Sequence, residues 1–144
     1  GWLGNPLHSD CNLVGISAAG RVYGTDADLK QYGDRAHVFL SGTASINNKG
    51  EVVHVGNIVK QTERMWENVG VLLEEGGASF DDVMQIIVYL RDVCDYPTVK
   101  EMFARRFPDT PKVITLAPVC RPTWLIEMEC IAVKKRCNEK YRDF

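Results

Sequence analysis

The 144-residue chain has no C-x-x-C pair, no long apolar run and no excess of basic charge. Its five cysteines, Cys11, Cys94, Cys120, Cys130 and Cys137, are odd in number and scattered. That pattern argues against a disulfide framework and against a zinc site. His8, His37 and His54 are equally dispersed, so no metal is expected. With 17 basic and 19 acidic residues the formal net charge is −2, which gives no electrostatic case for binding nucleic acid. No apolar stretch approaches the roughly 20 residues that span a bilayer, so no membrane partner is expected. A basic, then apolar, then small-residue start is also lacking, so no signal peptide is read. These absences together predict a reduced, cytoplasmic protein.

What is present is ordinary for a globular protein: 45% hydrophobic and 25% charged residues. The length suits one domain over 1–144, able to bury about two thirds of its unfolded surface. Residues 1–35 hold N-terminal strands, 36–134 the core and 135–144 a polar tail. Within the first segment only Leu13 to Ala18 reads as a strand. Ala36 to Ser45 reads as a buried strand, and Asn47-Asn48-Lys49-Gly50 as a turn. Glu51 to Val55 is then expected to return as the second strand of a hairpin.

Asn57 to Glu75 carries Ile58, Thr62, Met65, Val69 and Leu72 at spacings of three and four, the pattern of an amphipathic helix. Gly76-Gly77 supplies a left-handed stop. Val83 to Arg91 is dense in Val and Ile, as in a central strand covered on both faces. Asp95-Tyr96-Pro97 opens a second helix with Val99, Met102, Phe103 and Phe107 as its stripe. Pro108 and Pro111 end it, Lys112 to Ala117 reads as an edge strand, and Trp124 to Lys134 as the last long strand. Each strand–helix–strand crossover is long enough to make parallel neighbours, with both helices on one sheet face. The other face would be left open. Apolar residues there, Leu125, Ile131 and Val133, predict that further subunits bury it.

The final strand is the most informative segment. Alternation puts Leu125, Glu127, Glu129 and Ile131 on one face and Ile126, Met128, Cys130 and Ala132 on the other. Carboxylates among apolar neighbours are costly to bury without a partner or a ligand, which points to a site.

Several ordered motifs carry a resemblance. They are FLSGTASI at Phe39 to Ile46, QTERMWENVGVLLEEGGASFDDV at Gln61 to Val83, VYLRD at Val88 to Asp92 and IEMECIAV at Ile126 to Val133. The chain resembles the Rid superfamily, YjgF-like proteins also labelled endoribonuclease L-PSP or translation initiation inhibitor. The resemblance implies a chorismate-mutase-like α+β domain, a mixed sheet with two helices on one face, assembled as a homotrimer with ligand pockets at subunit interfaces. Within it, the SGTAS segment, the VY-x-RD strand and a C-R-P turn seven residues before an acid most resemble the C-terminal half of chorismatases. That implies hydrolysis of an enol ether with release of pyruvate, Glu127 donating the proton. The alternatives are an enamine or imine deaminase, or a non-catalytic metabolite-binding trimer. The arginine with which the family's deaminases clamp a substrate carboxylate falls on Lys112 here, a point charge where a planar fork is usual.

The expected ligand is a small anionic metabolite. Arg121 stands on the turn before the acid strand, suited to grip a carboxylate by charge-assisted hydrogen bonds. Arg91 and Tyr89 lie at the end of a buried strand, where pockets form. Gly42, Thr43 and Ala44 allow close approach to the backbone. Cys120 is read as pocket lining, since no histidine lies near it in sequence to generate a thiolate. An enol ether or enamine must gain a proton at carbon, which a positioned carboxyl can deliver, so no cofactor is required.

Overall fold

A computed structural model describes residues 13–16, 21–22 and 27–144. Strands β1 (Leu13–Ile16), β2 (Ala27–Gln31) and β3 (Arg35–Ala44) come first. Helix α1 (Ile58–Glu75), β4 (Val83–Leu90), α2 (Tyr96–Arg106), β5 (Lys112–Leu116) and β6 (Ile126–Lys135) follow. The predicted first strand is β1 as far as Ile16, with Ser17 and Ala18 outside the described residues. β2, ADLKQ, alternates only Ala27 and Leu29 with Asp28 and Lys30, too short a pattern to be singled out in the sequence; it forms as the antiparallel partner of β3. Among the described residues no helix is long and apolar enough to cross a membrane.

α1 starts where expected because Asn57 caps it: Oδ1 accepts a hydrogen bond from the Lys60 N–H at 3.0 Å. It ends at Gly76, and only Gly77 takes the left-handed conformation, with φ +74°. Met65, Val69, Leu72 and Leu73 form its buried stripe, and Val99 and Phe103 anchor α2 in the same core. The Trp66 and Phe103 rings meet edge-on with centroids 5.2 Å apart.

The sheet runs β1-β2-β3-β6-β4-β5. β4 and β5 are parallel neighbours, as the crossover length predicted. β3 and β4 are not neighbours, because β6 lies between them, antiparallel to both. The physical reason lies in β6 itself. Ile126, Met128, Cys130 and Ala132 are all buried against the helices, so this strand, with one face buried at four successive alternate positions, occupies the centre. Its opposite face carries Glu127, Glu129, Ile131 and Val133, and among the described residues no helix lies over that sheet face.

Two expectations need correction. The hairpin return at Glu51 to Val55 is no strand, and only one bridge, Ile46 to Val52, forms. The Ser45 hydroxyl captures the Val53 carbonyl at 2.7 Å, and the left-handed His54 (φ 59°) turns the chain toward α1. Second, Leu125 lies ahead of the last strand and is buried, so it takes no part in the open face. The polar tail folds back over the surface. The Gly33 N–H donates to the Arg142 carbonyl at 2.7 Å, and the Phe144 ring packs on Tyr32 and His37. A Cβ at Gly33 would collide with Asp143 and with the Tyr141 carbonyl, so only glycine permits this docking.

Candidate functional site

β3 and β6 lie side by side, and their register places Ala44 opposite Glu127. Between Leu40 and Thr43 that register slips, a bulge centred on Ser41 and Gly42. Bulges re-aim side chains beside sites, and here the bulge brings Gly42 over the acid. A Cβ built on Gly42 would stand 3.8 Å from Glu127 Oε2. Glu127 is only 7% exposed, although among the described residues no helix covers its sheet face.

The turn preceding β6 closes the other side. Cys120 stands beside the Glu127 carboxylate, and that neighbour first of all raises the thiol's pKa above its ordinary value, while the Arg121 charge opposes the rise. Cys120 therefore holds its proton and is not a poised nucleophile. Arg121 Nη1 donates to the Gly50 carbonyl at 2.6 Å, and its guanidinium lies 5.2 Å from the Trp124 ring centroid.

These segments enclose a cavity of about 270 Å³. Gly42, Thr43, Ala44, Cys120 and Arg121, far apart in sequence, line it together. Glu127 stands behind Gly42 and Cys120. The other two candidates lie elsewhere. The Arg91 side chain donates to the Pro122 carbonyl, and its backbone N–H to the Leu125 carbonyl at 3.1 Å, tying β4 to the turn. The Tyr89 hydroxyl donates to Glu129 Oε1 at 2.8 Å on the open face. Lys112, on the outer strand β5, donates to the Thr110 carbonyl at 3.0 Å.

A larger groove of about 480 Å³ runs between α1 and α2, lined by Val59, Trp66 and Met102 among others. It contains none of the candidate residues, and its Glu101 and Arg105 pair with each other. Size alone does not make it the site. Among the described residues no cluster of three or more His, Cys, Asp or Glu could hold a metal ion.

Sequence reasoning missed the residues that hold the cavity open. Gln61 is fully buried. Its Nε2 donates to the carbonyls of Thr123 at 3.0 Å and His54 at 3.3 Å, while Oε1 accepts from the Leu125 N–H at 2.9 Å. One turn pair further along α1, Asn68 Nδ2 donates to the carbonyls of Ala44 and Ile46, each at 2.9 Å. One amide thus holds the 123–125 wall and the other the 44–46 wall. The signal was present: both lie on the apolar stripe of α1, seven residues apart with Met65 between them. Buried amides on a greasy face need dedicated partners. Trp124 and Ile46, which join Ala44 in a small apolar cluster on the cavity wall, were also missed.

The endoribonuclease L-PSP family profile matches residues 30–134. A RutC family protein of Pyrococcus abyssi is 38% identical over 101 residues, covering 68% of this chain and 79% of that protein. The 3-aminoacrylate deaminase RutC of Acinetobacter baylyi is 31% identical over 97 residues, covering 66% of this chain and 77% of that enzyme. Among solved structures, yeast Mmf1 superposes with a TM-score of 0.74 at 22% identity, over 85% of this chain and 99% of its own. RidA from the Antarctic bacterium Psychrobacter sp. gives 0.69 at 21% identity, over 83% and 98%. At those identities the structural likenesses show the fold: the α+β mixed sheet with two helices is that of these proteins.

Proposed function

This chain belongs to the endoribonuclease L-PSP family, and from that membership and the site's geometry we propose that it hydrolyses small enamine or imine carboxylates, releasing ammonia. The carrying observation is a buried carboxylate, Glu127, set behind a glycine and a protonated thiol at a cavity that bears the Arg121 charge. The named activity of one relative, 3-aminoacrylate deamination, supports this reading. The relatives give no such support to chorismatase-like release of pyruvate from an enol ether.

An enamine first gains a proton at carbon and becomes its imine. Water then adds to the imine carbon, and the resulting carbinolamine expels ammonia to leave a carbonyl acid. Glu127 takes a proton from the attacking water and returns it to the departing nitrogen, general acid–base work for one carboxyl. Arg121 provides the counter-charge for the substrate carboxylate. The Cys120 thiol stands beside the Glu127 carboxyl and keeps its own proton. Water and a shuttled proton supply all the atoms of this reaction.

The assembly belongs to the same proposal. The open sheet face carries Phe39, Ile87, Ile131 and Val133, and burial of that strip in a homotrimer removes it from water. Light scattering on the purified chain tests it, with a mass three times that of the protomer expected.

The test of activity is ammonia release from an enamine or imine generated in situ, above its spontaneous hydrolysis. Glu127→Gln is expected to lower the enzymatic rate about 10²- to 10⁴-fold. Ligand binding without turnover by the unaltered protein would overturn the catalytic reading and favour a metabolite-binding trimer.

A further inference from the structure

Residues 135–144 lie beyond the family profile, which stops at 134. Four hydrogen bonds fasten them to the turn between β2 and β3. The Arg136 N–H donates to the Asp34 carbonyl at 3.0 Å, and the Asn138 N–H to the Gly33 carbonyl at 2.8 Å. The Gly33 N–H donates in return to the Arg142 carbonyl, and the Phe144 N–H meets Asp34 Oδ1 at 2.9 Å.

This fastening delivers an aromatic ring to the open sheet face. Along β3, Val38 and Leu40 are buried in the core shared with the helices, so His37 and Phe39 lie on the opposite face. The Phe144 ring stands 5.0 Å from His37 and 5.2 Å from Tyr32, and His37 leads on to Phe39 at 6.1 Å. Strand pairing sets Phe39 beside Ile131 and His37 beside Val133. Phe144 thus lengthens, at its β2–β3 end, the same apolar strip that assembly would bury.

Yet Phe144 is 70% exposed. Fixing an apolar ring in place while leaving it in water costs entropy and returns little hydrophobic stabilisation within one protomer. A covering surface would supply that return. The margin around the ring is positive: Lys30 Nζ lies 5.5 Å from the Tyr32 ring centroid, and Lys135 pairs with Arg35 across β3 and β6. Arg35 is balanced by Asp34 at 2.7 Å, but among the described residues neither lysine has an ion pair. Nearer the middle of the same face lie Asp28 and Glu129. A closed trimer joins unlike patches of neighbouring copies. A second copy of this chain therefore brings both apolar surface and acids to the aromatic, positive margin.

We propose that the 136–144 tail is an assembly element: the Phe144 ring, held on Tyr32 and His37, packs against the open sheet face of a neighbouring copy in the homotrimer. The inference rests on the trimeric assembly put forward above and adds to it a contact that lies outside the family profile.

Subunit exchange between unlabelled and isotope-labelled protein, followed by native mass spectrometry, reads how fast trimers come apart. Phe144→Ser should exchange at least about tenfold faster than the parent, because a buried ring is lost at every contact. Phe144→Leu keeps most of the apolar area and should stay within a few-fold of the parent. Asp34→Asn leaves the ring but weakens its mount, so its rate should fall between those two. An unchanged or slower rate for Phe144→Ser would overturn the inference and leave the trimer standing, with the ring assigned to a partner other than this chain. A parent that stays monomeric at every concentration would overturn the assembly reading and the inference together.

Discussion

Cys120 and Glu127, seven residues apart along the chain, stand side by side, and the carboxylate raises the pKa of the thiol. The contact makes each a reporter on the other. Alkylation of Cys120 should be slow for an exposed thiol and should quicken several-fold in Glu127→Gln, because the carboxylate that holds its proton is gone. Buried Cys130, pushed up to about 12 by burial first and Glu129 second, should stay unlabelled until the protein unfolds. Timed labelling with peptide mass mapping reads both. Equal Cys120 rates in parent and variant would contradict the pairing.

Gly42 offers a substitution that separates folding from catalysis. Its backbone is not in the left-handed region, and an added methyl would meet Glu127 at ordinary contact distance. Gly42→Ala should therefore melt at the parent's temperature or slightly above, by up to about 1 kcal/mol of stability. Turnover should nonetheless fall at least about tenfold, since the methyl occupies the approach to Oε2. Full activity would show that ligand does not reach the acid over this glycine.

The two amides of α1 predict a different outcome. Gln61→Leu strands the Leu125 N–H and the Thr123 carbonyl in the interior, at a cost of at least about 2 kcal/mol. Gln61→Glu keeps the acceptor for Leu125 but loses the donor to Thr123 and His54, so it should not rescue. Denaturant melts check the stability and steady-state kinetics the site, with kcat expected to fall in both.

Asp34 governs acid behaviour. The Arg35 guanidinium, and then the Phe144 N–H, hold its carboxyl at about 2 against an ordinary value of 3.8. A depressed carboxylate contributes stability above its unfolded value and loses it as pH falls through the folded one. Docking of residues 136–144 should therefore loosen between about pH 4 and pH 2. Hydrogen exchange at the Gly33 and Asn138 amides should report it, and Asp34→Asn should show the loosened exchange already at neutral pH.

Much of the architecture was legible from pattern alone. α1 and α2 were readable because their apolar residues recur at helical spacing and their ends carry a capping Asn57, a Gly pair and Pro97, and β4 because it is dense in Val and Ile. β2, by contrast, reads ADLKQ and owes its conformation to β3, a partner that local sequence cannot reveal. The return strand failed because Ser45 and His54 redirect the backbone through side-chain chemistry that period-counting ignores. At the site, residue types with chemical character were readable: Glu127, Cys120, Arg121 and the Gly42–Ala44 run. That Arg91 and Tyr89 would turn to Pro122 and Glu129 was not, since register decides it. Gln61 and Asn68 were passed over because the stripe of α1 was read from its apolar members.

The insertion of β6 between β3 and β4 has a consequence for how this chain is made. Strands 3 and 4 leave the ribosome long before the residue that joins them, so their inner edges wait unsatisfied until 126–135 emerges. Completing the sheet and delivering Glu127 to its crevice are then one event, and a partly synthesised chain can acquire neither without the other.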